Sequence, residues 1–115
     1  MTEPRAHPSL AEILPGLPPV HVVDIGATPL DGGPPPYARL LKDGFARVVG
    51  FEPDPEGLAE LNRKKGPHET YLPYAIGDGQ THQFKVCRAP GMSSLLEPNR
   101  DLLSYFRGFP DWGTV

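Results

Sequence analysis

The sequence predicts an α/β fold, in which a parallel βαβ sheet is covered by helices on both faces. Two apolar runs carry this prediction: Val20–Ile25 contains Asp24 near its end, and Arg47–Phe51 is followed by Glu52. Between them, Tyr37–Gly44 has the apolar spacing of one helical face. Ligands of such sheets bind where parallel strands end, so Asp24 and Glu52 are expected to converge on one crevice at the carboxyl edge.

The segment before the first strand, residues 1–19, is expected to form an N-terminal arm and a short helix. Residues 1–8 are expected to be a frayed arm, and Ser9 is a candidate N-cap. The apolar residues that would share one helix face are Leu10, Ile13 and Leu14. The strand Val20–Ile25 is apolar on both of its faces, which is typical of a central strand covered on each side.

The clearest helix start in the chain is Asp54-Pro55-Glu56, which places an N-cap acid before a proline and a first-turn acid. Gly66-Pro67 is expected to end this helix. Glu69–Ile76 is then predicted as a third strand. The turn signal Gly77-Asp78-Gly79 predicts a β-hairpin with Thr81–Cys87. Together, residues 20–115 are expected to form a single domain, and Asn99 is a candidate cap for a last helix.

The loop after the first strand, residues 26–36, separates two classes of ligand. It lacks the G-x-G-x-x-G pattern that seats a pyrophosphate on a helix N-terminus. Asp31 would repel a phosphate, and Pro34, Pro35 and Pro36 remove amide donors near the helix start. S-adenosylmethionine carries no phosphate, and it has a ribose diol for an acid and a cationic centre that tolerates acids. The loop therefore favours S-adenosylmethionine over a nicotinamide dinucleotide.

Four sequence blocks, in their order along the chain, resemble the FkbM-type methyltransferase family: Val23–Ala27, Val49–Pro55, Ala75–Gly79 and Met92–Leu96. The resemblance covers about residues 20–96. It implies a Rossmann-like class I methyltransferase that uses S-adenosylmethionine, usually to methylate a hydroxyl of a small molecule or a sugar. The proline-rich first loop departs from the compact Gly-x-x-Gly turn that is common in the family.

A second departure from the family is at the carboxyl end. Members of the family continue into a strand with a Lys-Ile-Asp-type block and into further strands, whereas this sequence stops at Val115. The chain therefore resembles the amino-terminal half of the family's domain, incomplete at the C-terminus, with part of a cofactor site and no activity expected alone. Such a fragment would expose one edge of Val20–Ile25. A dimer through this edge, cover by the C-terminal segment, or marginal stability would follow.

Eight residues are expected to bind the cofactor: Asp24, Gly26, Ala27, Glu52, Pro53, Ala75, Ile76 and Asp78. Glu52 would accept hydrogen bonds from both ribose hydroxyls, unless it is a solvated carboxylate that begins a turn. Asp24 would hold the first loop near the amino or carboxylate end of the ligand, or it caps loop amides. Pro53 or Phe51 would press on the adenine ring. Asp78 would bind the adenine amino group, or it belongs to an ordinary turn.

Other function classes are disfavoured by composition. A net charge of −3 with 22% charged residues lacks the basic excess that nucleic acid requires. The four histidines have no metal-ligand spacing with one another or with Cys87, so no metal is expected. His21 and His82 have no sequence-local partner that would make either a general base. The lone cysteine and the lack of a long apolar run favour the cytoplasm. A nicotinamide-binding half-domain and a non-catalytic assembly module are the alternatives.

Overall fold

In the computed structural model, which describes residues 7–115, three parallel strands form one open sheet. The strands are β1 (Val20–Ile25), β2 (Ala46–Phe51) and β3 (Glu69–Leu72), and they lie in the order β1-β2-β3. The helices are α1 (Leu10–Ile13), α2 (Ala38–Lys42), α3 (Pro55–Lys64) and α4 (Arg100–Leu103), with a 3₁₀ turn at Pro90–Met92. The predicted parallel α/β sheet is therefore confirmed.

The two faces of the sheet differ in burial. Alternate residues of β2, namely Ala46, Val48 and Gly50, are buried on one face, whereas Val49 on the opposite face is exposed. Because the strands follow one another in sequence order and crossovers are right-handed, α2 and α3 cover the same face. The expectation of helices on both faces is wrong for the described part of the chain. A connecting helix lies on the opposite face only where the strand order reverses, and the order β1-β2-β3 does not reverse.

Strand β1 lies at an edge of the sheet, whereas its apolar sequence predicts a central strand. Its register pairs Val20 with Ala46 and Ile25 with Phe51 of β2, and within residues 7–115 no strand pairs with its other side. The carboxyl end of the chain contacts the segment at residue 88 instead, where the amide of Arg88 donates to the carbonyl oxygen of Thr114 at 2.7 Å. The expectation that the C-terminal segment covers the β1 edge is therefore wrong.

The third strand is shorter than predicted, and the hairpin after it is absent from the described structure. β3 ends at Leu72, immediately before Pro73, which has no amide hydrogen to continue a ladder. Residues 73–84 are irregular. The only antiparallel pairing in the described part joins Lys85 to Ser94, well beyond the Gly77–Gly79 turn signal.

Helix α3 begins and ends as its sequence predicts. The Asp54 side chain accepts a hydrogen bond from the Gly57 amide at 2.7 Å, and Pro55 occupies the first helical position. The helix ends at Lys64, just before Gly66. This cap fixes the direction in which the chain leaves β2, and it therefore sets the geometry at the carboxyl edge of the sheet.

The two terminal helices are short and contribute little to the sheet. Ser9 precedes α1 and donates its amide hydrogen to Glu12 at 2.6 Å, but the apolar side chains of Ile13 and Leu14 are exposed. Asn99 caps α4 by accepting from the Leu102 amide at 3.0 Å. The expected frayed arm, residues 1–8, lies mostly outside the described residues. Among residues 7–115, every helix is too short or too polar to cross a membrane.

Candidate ligand-binding site

An open cleft with a volume of about 580 Å³ lies at the carboxyl edge of the sheet. Phe51 and Pro53, at the end of β2, form one side of it. Ala75 and Ile76, in the segment that follows β3, also line it. The remaining lining residues are Tyr74, Gly77, Gly79, Gln80, Thr81, His82, Phe84 and Leu95. The lining thus combines apolar side chains with a polar group formed by residues 80–82. Three of the eight residues that the sequence predicts for the cofactor lie here: Pro53, Ala75 and Ile76.

Glu52 faces the protein interior beside this cleft. Only 6% of the residue is exposed, and its two carboxylate oxygens accept from the amides of Thr28, at 3.0 Å, and Asp54, at 2.9 Å. The carboxylate therefore joins the loop after β1 to the start of α3. The alternative of a solvated carboxylate is wrong, and the oxygens expected to bind a ribose are already bonded to backbone amides.

Gly57, in the first turn of α3, allows this close approach between the two loops. A Cβ atom at this position would lie 2.4 Å from the Thr28 hydroxyl oxygen and 3.4 Å from the Glu52 carboxyl carbon. The Thr28 hydroxyl is buried and has no hydrogen-bond partner among the described residues. No local sequence pattern predicts this requirement, because it arises only when residues 28, 52 and 57 meet.

Gly26 and Ala27 close the end of β1 against β2. Gly26 has a φ of 75°, a left-handed conformation that glycine adopts without steric cost. The amides of Gly26 and Ala27 both donate to the carbonyl oxygen of Phe51, at 2.9 and 3.1 Å. Ala27 is buried. These two residues therefore support the carboxyl edge and are not among the residues that line the cleft.

Asp24 lies on the buried face of the sheet, outside the cleft lining. In the register of the sheet, Asp24 pairs with Gly50 of β2, and Gly50 pairs with Tyr71 of β3. The Tyr37 hydroxyl, just before α2, donates to Asp24 at 2.5 Å, and the Tyr71 hydroxyl donates to Glu69 at 2.8 Å. Asp24 thus holds the start of α2 against β1. The Tyr37 hydroxyl is thus the partner of Asp24, in place of the loop amides that Asp24 was alternatively expected to cap.

The two tyrosines of this buried face should make the protein sensitive to alkali. Burial, followed by the hydrogen bond to Asp24, raises the pKa of Tyr37 far above its usual range, and burial and Glu69 do the same to the pKa of Tyr71. The unfolded chain ionises its tyrosines near pH 10. Because the folded state keeps these two neutral, we expect the free energy of unfolding to fall as the pH rises above about 10.

Urea unfolding at several pH values between about 8 and 11 would measure this loss. The double variant Tyr37→Phe, Tyr71→Phe should be less stable at pH 8, and its stability should depend less on pH above 10. An equal dependence on alkaline pH in the double variant and the wild type would contradict the assignment to these two residues.

Asp78 organises the polar end of the cleft without lining it. One carboxylate oxygen accepts from the Gln80 amide at 2.9 Å and lies 2.7 Å from the His82 ring nitrogen Nε2. The Gln80 bond and then the His82 bond lower the pKa of Asp78. The expectation that His82 has no local partner is wrong, since Asp78 stands four residues before it. The Asp-x-x-x-His spacing was the available signal, but the predicted hairpin would have put the two residues on different elements.

The block Met92-Ser93-Ser94 forms a structural turn. The Ser93 hydroxyl accepts from the Cys87 amide at 3.0 Å, and Cys87 is itself buried. Within residues 7–115, no three side chains of histidine, cysteine, aspartate or glutamate are grouped closely enough to hold a metal ion. No protein-family model, curated protein or solved structure matches the chain.

Proposed function

We propose that this chain binds S-adenosylmethionine in the cleft at the carboxyl edge of the sheet, as part of a methyltransferase that acts on a hydroxyl of a small molecule or sugar. One observation carries the proposal: the cleft lies between the residues that follow β2, Phe51 and Pro53, and those that follow β3, Ala75 and Ile76. Ligands of parallel α/β sheets bind at this edge. The resemblance of four sequence blocks to the FkbM-type family supports the choice of ligand.

The size and lining of the cleft suit a nucleoside. Its volume of about 580 Å³ falls in the usual range for small-molecule sites. Phe51, Pro53 and Ile76 offer apolar surface to a flat purine, and residues 80–82 offer polar groups to its edge. The base would therefore lie between these residues.

The first loop supports a ligand without a pyrophosphate. The Gly33 amide donates to Asp31 at 3.0 Å, so an amide that could bind phosphate is engaged by a negative carboxylate. Helix α2 is only five residues long and starts at Ala38, after three consecutive prolines. A dinucleotide site would need amide donors at such a helix start. These features disfavour the nicotinamide-binding alternative.

Glu52 supports the proposed site indirectly. Its carboxylate fixes the amides of Thr28 and Asp54, and it therefore holds the β1 loop and the start of α3 on either side of the Phe51–Pro53 wall. Bound S-adenosylmethionine would supply the transferable methyl group. The residues of this chain would bind and orient the nucleoside, which is the main contribution that a protein makes to such a displacement. None of the described residues is assigned as the base for the acceptor hydroxyl.

Calorimetric titration with S-adenosylhomocysteine, with NAD as a control, tests the proposal. We expect saturable binding of S-adenosylhomocysteine alone. The variant Ala75→Trp should abolish it, because the indole would take up space that the nucleoside needs in the cleft. The matched control Val86→Trp, at a position that is 62% exposed and outside the cleft, should bind as the wild type does. Binding of NAD, or equal binding to both variants, would contradict the proposal.

A second candidate function is that of an assembly module, in which two copies pair along β1. Val23 and Ile25 are each 65% exposed on the open face beside this edge. The strand contains neither lysine nor proline, the residues that commonly protect edges from pairing. A second copy could therefore extend the sheet by antiparallel pairing.

Light scattering over a range of concentrations tests this pairing. We expect the mass to rise from one chain to two as the concentration increases, and Val23→Lys to keep the chain monomeric. Val86→Lys places the same charge at a similarly exposed site away from the strand, and it should leave the dimer intact. A constant monomeric mass in the wild type would rule out the assembly role.

A further inference from the structure

The polar end of the cleft is built around His82 and its contact with Asp78. His82 and Gln80 both line the cleft, and both are held by the same oxygen of Asp78, at 2.7 Å from His82 Nε2 and 2.9 Å from the Gln80 amide. Apart from His82, Tyr74 is the one titratable residue in the lining. The nearby Lys85 ammonium lies 2.5 Å from Glu97. Asp78 is thus the charged partner that His82 has in the described structure.

This contact determines the tautomer of the imidazole. An ionised carboxylate only accepts hydrogen bonds, so neutral His82 carries its hydrogen on Nε2. Its other nitrogen, Nδ1, then keeps a lone pair, and it makes no hydrogen bond within residues 7–115. A neutral His82 therefore offers one hydrogen-bond acceptor on a residue that lines the cleft.

We propose that His82, positioned by Asp78, selects a 6-amino purine over a 6-oxo purine in this cleft. The proposal rests on the proposed nucleoside-binding function. The exocyclic amino group of adenine donates to a neutral imidazole nitrogen, whereas the carbonyl oxygen of hypoxanthine would face that nitrogen acceptor to acceptor.

The test compares S-adenosylhomocysteine with its deaminated inosine analogue by calorimetry at about pH 8. In the wild type we expect the amino form to bind about tenfold more tightly. His82→Phe keeps a ring but has no nitrogen, so its preference should be small. Gln83→Ala, outside the cleft lining, serves as the control and should behave as the wild type does.

Asp78→Asn tests the positioning role separately. An asparagine can still accept from the Gln80 amide, but its side-chain amide can also donate to the imidazole and so release the tautomer. We expect this variant to bind S-adenosylhomocysteine while losing most of the preference at pH 8. A full preference for the amino form that persists in His82→Phe would overturn the inference and leave the nucleoside site standing. Failure of the folded wild type to bind either nucleoside would overturn both.

Discussion

Replacing Glu52 with alanine should destabilise the fold more than any other single carboxylate substitution in the described structure. The variant leaves the amides of Thr28 and Asp54 without their acceptor, at a site where the residue is only 6% exposed. Hydrogen bonds to charged groups contribute about 1.5–3 kcal/mol each, so the expected loss is about 3 kcal/mol or more. Domains of ordinary stability have about 5–15 kcal/mol in total, and the variant should therefore unfold at much lower urea concentrations.

Chemical denaturation followed by circular dichroism measures this loss. Glu56→Ala is the matched control, because Glu56 is an exposed acid in the first turn of the same helix. Its loss should cost at most about 1 kcal/mol. If Glu52→Ala and Glu56→Ala shifted the denaturation midpoint by similar amounts, Glu52 would not connect the two loops as the structure indicates.

Gly50→Ala should have the second large effect, because Tyr71 packs directly over this glycine. A Cβ atom at position 50 would lie 2.5 Å from the Tyr71 ring and 3.0 Å from the Ala27 side chain. The ring is held in place by the hydrogen bond from its hydroxyl to Glu69. Forcing extra volume into such a contact costs about 1–3 kcal/mol, measured as a lower free energy of unfolding.

A double-mutant cycle isolates this contact. Tyr71→Ala removes the ring, so adding Gly50→Ala to that variant should cost little, and the two changes should be strongly non-additive. Additive losses would mean that the glycine is required for a reason other than the ring.

Local signals in the sequence predicted much of the fold. Helix α3 was predicted at both ends because its cap, proline and terminal glycine act on neighbouring residues. The two apolar runs predicted β1 and β2, and the acids near their carboxyl ends, Asp24 and Glu52, predicted where the carboxyl edge would lie. Ala75 and Ile76 were chosen from a sequence block that resembles the methyltransferase family, and the sequence placed them inside the third strand, whereas in the structure they follow it.

Features that depend on long-range packing were predicted poorly. The sequence shows a carboxylate at position 52, but only the fold reveals that the amides of residues 28 and 54 donate hydrogen bonds to it. The predicted hairpin relied on a glycine-rich turn, whereas Pro73 ends β3 before that turn is reached. An apolar strand such as β1 is the same in sequence whether it is covered on two sides or exposed on one.

The predicted site residues therefore divide into one group that supports the fold at the carboxyl edge and another group that lines the cleft. Glu52, Asp24, Gly26 and Ala27 hold the loops and the start of α2 against the sheet, through buried contacts with backbone and tyrosine partners. The residues of the cleft carry the surface that a ligand would touch. Substitutions in the first group should reduce stability and binding together, whereas substitutions in the cleft should reduce binding and leave the denaturation midpoint close to that of the wild type.

The most direct test of the proposed site is to map ligand-induced amide shifts by nuclear magnetic resonance during titration with S-adenosylhomocysteine. We predict saturable shifts at Phe51, at residues 75–77 and at residues 80–82, all of which lie around the cleft. Amides near Trp112, in a separate depression of the surface, should stay unchanged. Shifts confined to that second region, or no shifts in a folded sample at saturating ligand, would contradict a nucleoside site at the carboxyl edge of the sheet.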